Sequence, residues 1–203
     1  MKILALDIGG VCITLHMERA LAALNIPDYN TASEQIRRAI SGYNCGTVGS
    51  EEFCRIMQEQ TGHVHSNDEI RRRWNLFLGE TIPETTELVN ALLDDGWRIA
   101  FLSDIQPWHA DALPPLIPYL DRIKERIYSF EVGAEKPSPQ MYKAFEEKVG
   151  RPDLYIDDRL NNIEGGCACG WNAIQYSPSV GARMLEIFRQ SPDNFLKNIK
   201  DSL

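Results

Sequence analysis

Six residues that could do chemistry stand at or near the ends of apolar runs or in a polar loop. They are four carboxylates, one hydroxyl and one amine, at Asp7, Ser103, Asp104, Lys136, Asp157 and Asp158. Carboxylates brought together repel each other, and a hard divalent cation such as Mg²⁺ is the partner that holds them in one place. A lysine and a hydroxyl beside such a cation are the point charge and the hydrogen-bond donor that a phosphoryl group needs. These residue types therefore predict a metal-assisted site for a phosphorylated ligand.

The surrounding pattern predicts that these residues meet although they lie far apart in the sequence. Residues 3–6 are an unbroken apolar run that leads into Asp7 and two glycines, which is typical of a buried strand in a parallel sheet. Similar runs lead to Ser103 and Asp157, and helical segments stand between the runs. This alternation predicts the α/β class with a doubly wound parallel sheet, which binds its ligands at the carboxyl ends of the strands.

Residues 15–80 interrupt the alternation. Their apolar residues recur at helical spacing, and capping residues begin several segments, so we predict an all-helical block. The predicted domains are a core of residues 1–14 and 81–203 and an inserted helical cap of residues 15–80. We assign Trp74 and Phe77 to the interior of the cap rather than to a substrate wall. Residues from 182 onward are predicted to begin a polar helical tail.

Composition limits the class of partner. The chain has 203 residues, a formal net charge of −8 and a pI near 5.0, which argues against nucleic acid or an anionic membrane as the main partner. A small anionic ligand stays compatible, because local cations can reverse the sign of the potential in one cleft. We see no signal pattern, bilayer-spanning run or nucleotide-binding P-loop, and we predict a cytoplasmic monomer or homodimer.

Four motifs together carry a resemblance to a known family. They are Leu-Asp-Ile-Gly-Gly-Val from Leu6, Phe-Leu-Ser-Asp from Phe101, Gly-Ala-Glu-Lys-Pro from Gly133 and Tyr-Ile-Asp-Asp-Arg-Leu-Asn-Asn from Tyr155. In order and spacing they resemble the haloacid dehalogenase superfamily, in the branch whose helical cap follows the first motif. Within that branch the chain is most similar to small sugar-phosphate phosphatases, such as those for glucose 1-phosphate. The resemblance covers almost the whole chain.

The resemblance implies a phosphomonoester hydrolase that acts on a small phosphorylated metabolite. Asp7 would be the nucleophile and would form an aspartyl-phosphate. Lys136 would neutralise Asp7 and the transferring phosphoryl oxygens, and Ser103 would donate a hydrogen bond to the phosphoryl group, with Asp104 beside it. These four residues are the predicted catalytic and phosphate-binding set.

The resemblance also implies that the enzyme uses Mg²⁺. Asp7, the backbone carbonyl of Gly9 and Asp158 would hold the ion, with Asp157 in the outer shell or nearby. Gly9 is a departure from the family, because most phosphatases in it have an aspartate there as general acid for the leaving oxygen. Such help is typically worth roughly 10²–10⁴-fold in rate. A leaving group of low pKa, such as that of an anomeric sugar phosphate, would need the acid least.

A second departure keeps other functions open. The family usually has asparagine where this chain has Asp104, and a carboxylate there would repel phosphate unless it were paired or turned away. One alternative is therefore a non-catalytic or regulatory protein that binds phosphate or metal. Another is a dehalogenase in which aspartate attacks carbon, a reaction that needs no metal and against which Asp157 and Asp158 argue. A structural protein that binds a partner through its acidic surface is the weakest alternative.

Overall fold

The computed structural model describes residues 1–26 and 28–202; Pro27 and Leu203, which fall in the predicted cap and core ranges, lie outside the described residues. The strands are β1 (Ile3–Leu6), β2 (Ile13–Leu15), β3 (Leu78–Thr81), β4 (Arg98–Ser103), β5 (Glu125–Tyr128), β6 (Leu154–Asp157) and β7 (Ala173–Gln175). Five of them form a sheet in the order β5-β4-β1-β6-β7, and every pairing in it is parallel. The predicted doubly wound parallel sheet is confirmed.

The described residues form eleven α-helices. They are α1 (Met17–Ala23), α2 (Glu34–Asn44), α3 (Ser50–Gln60), α4 (Asn67–Trp74), α5 (Pro83–Asp94), α6 (Pro107–Asp111), α7 (Ser129–Val132), α8 (Pro139–Val149), α9 (Leu160–Ala168), α10 (Pro178–Gln190) and α11 (Phe195–Ser202). Successive side chains of a strand point to opposite faces. Leu4 and Leu6 of β1 accordingly pack in a cluster with α5, α10 and α11, whereas Ala5 packs in a cluster with α8. Both faces are buried, which explains the unbroken apolar run.

The two C-terminal helices belong to the core, so the prediction of a polar tail is wrong. Met184 and Phe188 of α10, and Phe195 and Ile199 of α11, are buried in the same cluster as Leu4. Each pair is four residues apart, so both members lie on one helix face while the polar residues face outward. The sequence contained this amphipathic spacing, but the charged residues between the apolar positions concealed it.

Helices α1 to α4 form a cap with an apolar interior of its own. Buried residues of this cluster include Tyr43 and Phe53, and Trp108 of α6 joins it from the core side. The Trp108 ring meets both rings edge-on, with centroids 5.4 and 5.7 Å away. Trp108 therefore anchors the cap to the segment that follows β4.

The two chain segments that connect cap and core pair with each other. Strands β2 and β3 form a two-stranded antiparallel ribbon, which we did not predict because each strand has only three or four residues. The ribbon straddles the predicted boundaries at residues 15 and 80, and those boundaries stay a prediction. Among the described residues, no helix is both long and apolar enough to cross a bilayer.

Candidate active site

The ends of the central strands bring together the residues that the sequence singled out. Asp7 directly follows β1, Ser103 ends β4 and Asp157 ends β6. Strands β4 and β6 are the two parallel neighbours of β1, so these residues emerge at one edge of the sheet. Asp7, Ser103 and Asp157 are at most 6% exposed. Their proximity follows directly from the parallel topology.

Lys136 enters this edge from the loop between α7 and α8. Its Nζ lies 3.0 Å from Asp7 Oδ1 and 2.6 Å from Asp157 Oδ2, and it donates to the Leu102 carbonyl at 2.9 Å. Burial lowers the pKa of Lys136, but the negative charges of Asp7 and Asp157 raise the pKa by more, so it stays above its ordinary value. The structure thus holds one buried, charged amine between two carboxylates.

Asp157 is saturated with hydrogen bonds. It is fully buried and accepts from Lys136 Nζ, the Tyr155 hydroxyl (2.6 Å), the Arg159 amide (2.9 Å) and the Asn162 side-chain amide (3.0 Å). A carboxylate has about four lone-pair sites, so these donors occupy its capacity. Asp157 therefore fixes the lysine and leaves no oxygen free for direct metal binding.

Asp158, its neighbour, is in the opposite situation. It is half-buried, and among the described residues the one donor to its carboxylate is its own backbone amide. Burial and the charge of Asp157 raise its pKa. Gly10 permits its approach, because a Cβ there would overlap the Asp158 carboxylate and the glycine φ of +71° is one that other residues rarely adopt. Asp158 is thus an open oxygen ligand.

The charges of this group fit a divalent cation. One carboxylate oxygen each from Asp7, Asp157 and Asp158 lies within 4.8 Å of the others. Lys136 supplies a single positive charge against these three negative ones. Burial raises the pKa of Asp7 to about 7, although Lys136 opposes that shift. A hard cation beside Asp7 and Asp158 would supply the missing charge and favour the ionised form of Asp7. We call these four side chains the floor of the site.

Gly9 has a neighbour that bears on the missing general acid. A Cβ at residue 9 would lie 2.7 Å from Leu15 Cδ1, so the β2 side chain occupies the space that a side chain at residue 9 would need. The backbone of Gly9 adopts an ordinary φ, since only Gly10 of the pair has the left-handed value. Steric contact with Leu15, rather than backbone strain, is therefore what a larger residue would meet.

Ser103 and Asp104 differ in what their side chains contact. Both line the crevice beside the floor. The hydrogen bonds among the described residues leave the Ser103 hydroxyl uncommitted, and it is not sealed inside the protein. Asp104 Oδ1 instead accepts from the Lys136 backbone amide at 2.9 Å, and burial raises the pKa of Asp104 to about 6. Asp104 holds the lysine loop, and its contact with a phosphoryl group stays a prediction.

The crevice above the floor has an aromatic wall that the sequence analysis missed. The crevice has a volume of about 220 Å³. Phe77 and His109 stack with ring centroids 4.9 Å apart, and Trp74 lies parallel to both. We call Trp74, Phe77 and His109 the roof. The two cap residues do contribute to the cap interior, as predicted, but they also line the crevice.

A second contact between cap and core lies at the crevice rim. Asn44 Nδ2 at the end of α2 donates to Glu135 Oε1 at 2.8 Å, and the Asn44 carbonyl accepts from Ser129 Oγ at 2.7 Å. Glu135 directly precedes Lys136, so the cap touches the loop that carries this lysine. Neither Asn44 nor Glu135 stood out in the sequence, because nothing local marks a residue that meets a distant loop.

A larger cavity lies elsewhere. A groove of about 480 Å³ runs between β7 and α11 and is lined by apolar residues such as Ile174 and Leu196. Its lining contains none of the floor carboxylates. The smaller crevice is the better candidate site, because its lining includes Gly9, Ser103 and Asp104, which stand at the strand ends beside the floor.

Comparison with solved structures identifies the fold, whereas no protein-family model matches the chain. A HAD family enzyme from Bacteroides thetaiotaomicron, solved with magnesium and inorganic phosphate, superposes with a TM-score of 0.75 at 24% identity over 88% of this chain and 95% of that one. A HAD-like hydrolase from Porphyromonas gingivalis gives 0.72 at 20% identity over 88% and 92%.

A more distant match carries different chemistry. The L-2-haloacid dehalogenase from Xanthobacter autotrophicus, solved with chloropropionic acid covalently bound, gives a TM-score of 0.58 at 13% identity over 94% of this chain and 83% of that one. One fold therefore supports more than one reaction, and the reaction has to be argued from the site. The parallel sheet, the helical cap and these superpositions together identify this chain as having the haloacid dehalogenase (HAD) fold.

Proposed function

We propose that this protein is a Mg²⁺-dependent phosphomonoester hydrolase for a small phosphorylated metabolite of the sugar-phosphate class. One observation carries the proposal: Asp7 lies 3.0 Å from the Lys136 amine and within 4.8 Å of the Asp157 and Asp158 carboxylates. A nucleophilic carboxylate, a fixed cation and a carboxylate that is free to bind a metal are the parts that phosphoryl transfer requires. The magnesium and phosphate in the Bacteroides structure add support.

Each floor residue has a distinct part in the proposed reaction. Asp7, the Gly9 carbonyl and Asp158 would hold Mg²⁺, which supplies positive charge beside the phosphoryl oxygens. Asp157 would act in the outer shell, because its oxygens are already occupied by donors. Lys136 would keep Asp7 ionised and bind the phosphoryl group.

The reaction has two steps at Asp7. A carboxylate oxygen of Asp7 attacks phosphorus, the ester P–O bond breaks, and the alcohol leaves with its electron pair and takes up a proton. Water then attacks the phosphorus of the aspartyl-phosphate, which releases inorganic phosphate and regenerates the carboxylate. Ser103 would hydrogen-bond the phosphoryl oxygens during both steps. The cap would keep bulk water away until the second step.

The absence of an acidic side chain at Gly9 bears on the substrate. Without a general acid, the leaving oxygen must depart with little protonation, so a leaving group of low pKa is favoured. An anomeric sugar phosphate has such a leaving group. The small crevice volume, about 220 Å³, is below the roughly 300–1,000 Å³ typical of pockets for drug-sized ligands and suits a single small metabolite.

The experiment is a Mg²⁺-dependent phosphatase assay of the purified protein against a sugar-phosphate panel and 4-nitrophenyl phosphate, beside Asp7→Asn. We expect turnover that a chelator abolishes and that Asp7→Asn lowers on the order of 10⁴-fold or more, as for other covalent nucleophiles. Asp111→Asn, an exposed carboxylate on α6, is the matched control and should retain activity.

Two other outcomes would redirect the proposal. Turnover of a 2-haloacid that survives chelation would favour dehalogenation, in which Asp7 attacks carbon. Binding of Mg²⁺ and phosphate with no turnover of any substrate would favour a non-catalytic binding protein, which the filled space beside Gly9 would then explain.

A further inference from the structure

The roof residue Trp74 anchors two polar side chains that follow β4. Trp74 lies at the end of α4 in the cap, whereas Gln106 and His109 lie at the start of α6 and line the crevice. Trp74 Nε1 donates to Gln106 Oε1, and the Trp74 carbonyl lies 3.4 Å from His109 Nε2. Both partners are 2% exposed. One cap residue therefore fixes the orientation of two side chains across the crevice.

Its indole fixes the amide of Gln106. An indole N–H can only donate, so the atom that faces it must be the carbonyl oxygen of the glutamine. The Gln106 Nε2 group then points away from Trp74. Among the described residues it has no hydrogen-bond partner, and it is not sealed off from the crevice. The crevice is thereby provided with an uncommitted N–H donor.

The Trp74 carbonyl likewise fixes the tautomer of His109. A carbonyl can only accept, so the hydrogen bond requires a proton on Nε2. Burial lowers the pKa of His109 to about 4, so at neutral pH the ring carries that proton alone and Nδ1 has a free lone pair. Within the described part of the chain Nδ1 has no partner, and it is not enclosed. The crevice thus also has an uncommitted acceptor.

We propose that Gln106 Nε2 and His109 Nδ1 form a subsite for a hydroxyl group of the leaving alcohol. A hydroxyl both donates and accepts, so it satisfies an amide donor and an imidazole acceptor that lie one helical turn apart on one segment. An alkyl group at the same place would leave both buried groups unpaired, which is the basis of strong discrimination. This inference rests on the proposed function and narrows its substrate class to hydroxylated leaving groups.

The subsite depends on the closed cap. Trp74 belongs to the cap, and Gln106 and His109 belong to the core, so their orientations are defined only while the two parts are in contact. The ligand hydroxyl would therefore be recognised in the same arrangement that covers the floor. Gln106 and His109 would be specificity residues, since they would touch the leaving group and not the phosphorus.

The test compares two ligands with the same carbon chain, sn-glycerol 3-phosphate and propyl phosphate. Their dissociation constants are measured by calorimetry with Mg²⁺ in the Asp7→Asn background, which prevents turnover. We expect the glycerol ester to bind about tenfold more tightly, which corresponds to about 1.4 kcal/mol, the scale of one or two net hydrogen bonds. Gln106→Met and His109→Phe should each reduce this ratio to within about threefold.

The ratio of the two dissociation constants distinguishes a loss of hydroxyl recognition from a general loss of structure in the crevice. A variant that merely loosens the crevice lowers the affinity for both ligands alike, and that result would overturn the subsite. Equal affinities for the two ligands before the subsite is mutated would also overturn it, as would no binding of either ligand. Trp171→Phe, an aromatic change in the core outside the crevice lining, should leave the ratio unchanged. Failure of the proposed function is a separate result, namely absence of turnover in the wild-type assay, because this binding preference requires no hydrolysis.

Discussion

Different interactions hold the floor and the roof of the crevice together. The floor is ionic: Lys136 lies 3.0 Å or less from two carboxylates, and Asp157 receives four donors. The roof is aromatic: Trp74, Phe77 and His109 lie nearly parallel, and each polar atom that is fixed there is fixed through Trp74.

This difference separates chemistry from selection. The floor carboxylates stand at the ends of two adjacent strands, β1 and β6, and Lys136 stands on one loop, so the parallel sheet sets the positions of the carboxylates. The roof forms only where the cap meets α6. We infer that changes in the floor reduce the rate and the stability of the core, whereas changes in the roof alter which ligand is bound.

Removal of the floor cation should have the largest effect. Lys136→Met leaves Asp7 and Asp157 buried without their counter-charge, which is expected to cost about 3–5 kcal/mol of unfolding free energy. Activity should fall on the order of 10³-fold, because the phosphoryl group loses a fixed cation. Urea unfolding and initial rates measure the two effects. The exposed Lys143→Met on α8 is the control, and its unfolding free energy should stay within about 0.5 kcal/mol of wild type; equal losses in both variants would contradict the buried ionic floor.

Restoring a general acid should produce a gain that depends on the ribbon. Gly9→Asp alone requires the exposed Leu15 side chain to shift, so we expect part of the benefit from Gly9→Asp and the full benefit when it is combined with Leu15→Ala. The double variant should hydrolyse alkyl phosphates about 10²-fold faster, with little gain on 4-nitrophenyl phosphate, whose leaving group needs no acid. Leu15→Ala alone is the control. No gain on either substrate would mean that the missing acid is not what limits this site.

The adjacent carboxylates of the floor should respond differently to the same change. Asp158→Asn should weaken Mg²⁺ binding at least about tenfold with little change in stability, because the one described donor to its carboxylate is its own backbone amide. Asp157→Asn should instead lower the unfolding free energy by about 1–3 kcal/mol, because it disturbs buried hydrogen bonds to Lys136 and Tyr155. Magnesium titration and urea unfolding, applied to both variants, distinguish them. Identical profiles would show that the two residues share one role.

The smallest predicted effect is in the roof. Trp74→Phe keeps an aromatic ring but removes the N–H donor to Gln106, so we expect KM to rise about fivefold with kcat nearly unchanged, for a loss of about 1 kcal/mol. Trp171→Phe is the matched control, since its indole donates to Glu146 at 2.7 Å on a remote face of the core. It should lower stability to a similar extent and leave KM alone. A fall in kcat for Trp74→Phe would place the roof in the chemical step.

The sequence by itself determined the parallel sheet and the residues at its carboxyl edge. Residues 3–6, 98–103 and 154–157 are apolar runs that end in polar residues, and such runs form buried parallel strands whose ends converge. The helical nature of the cap was also readable, because periodicity and capping are local. The helix that begins α10 was predicted, but the prediction of a polar tail failed, because charged residues between the apolar positions concealed the apolar face of α10 and α11.

Only the tertiary structure decided how neighbouring residues differ. Asp157 and Asp158 are adjacent in sequence, yet they differ in burial. Asp157 ends β6 with its side chain in the hydrogen-bonded interior, whereas the side chain of Asp158 is half-buried. Leu15 fills the space beside Gly9 because β2 pairs with β3, and Trp74 reaches Gln106 because the cap packs on α6. These contacts join segments far apart in the chain, and a local pattern specifies the face that a residue presents but not the distant side chain that it meets.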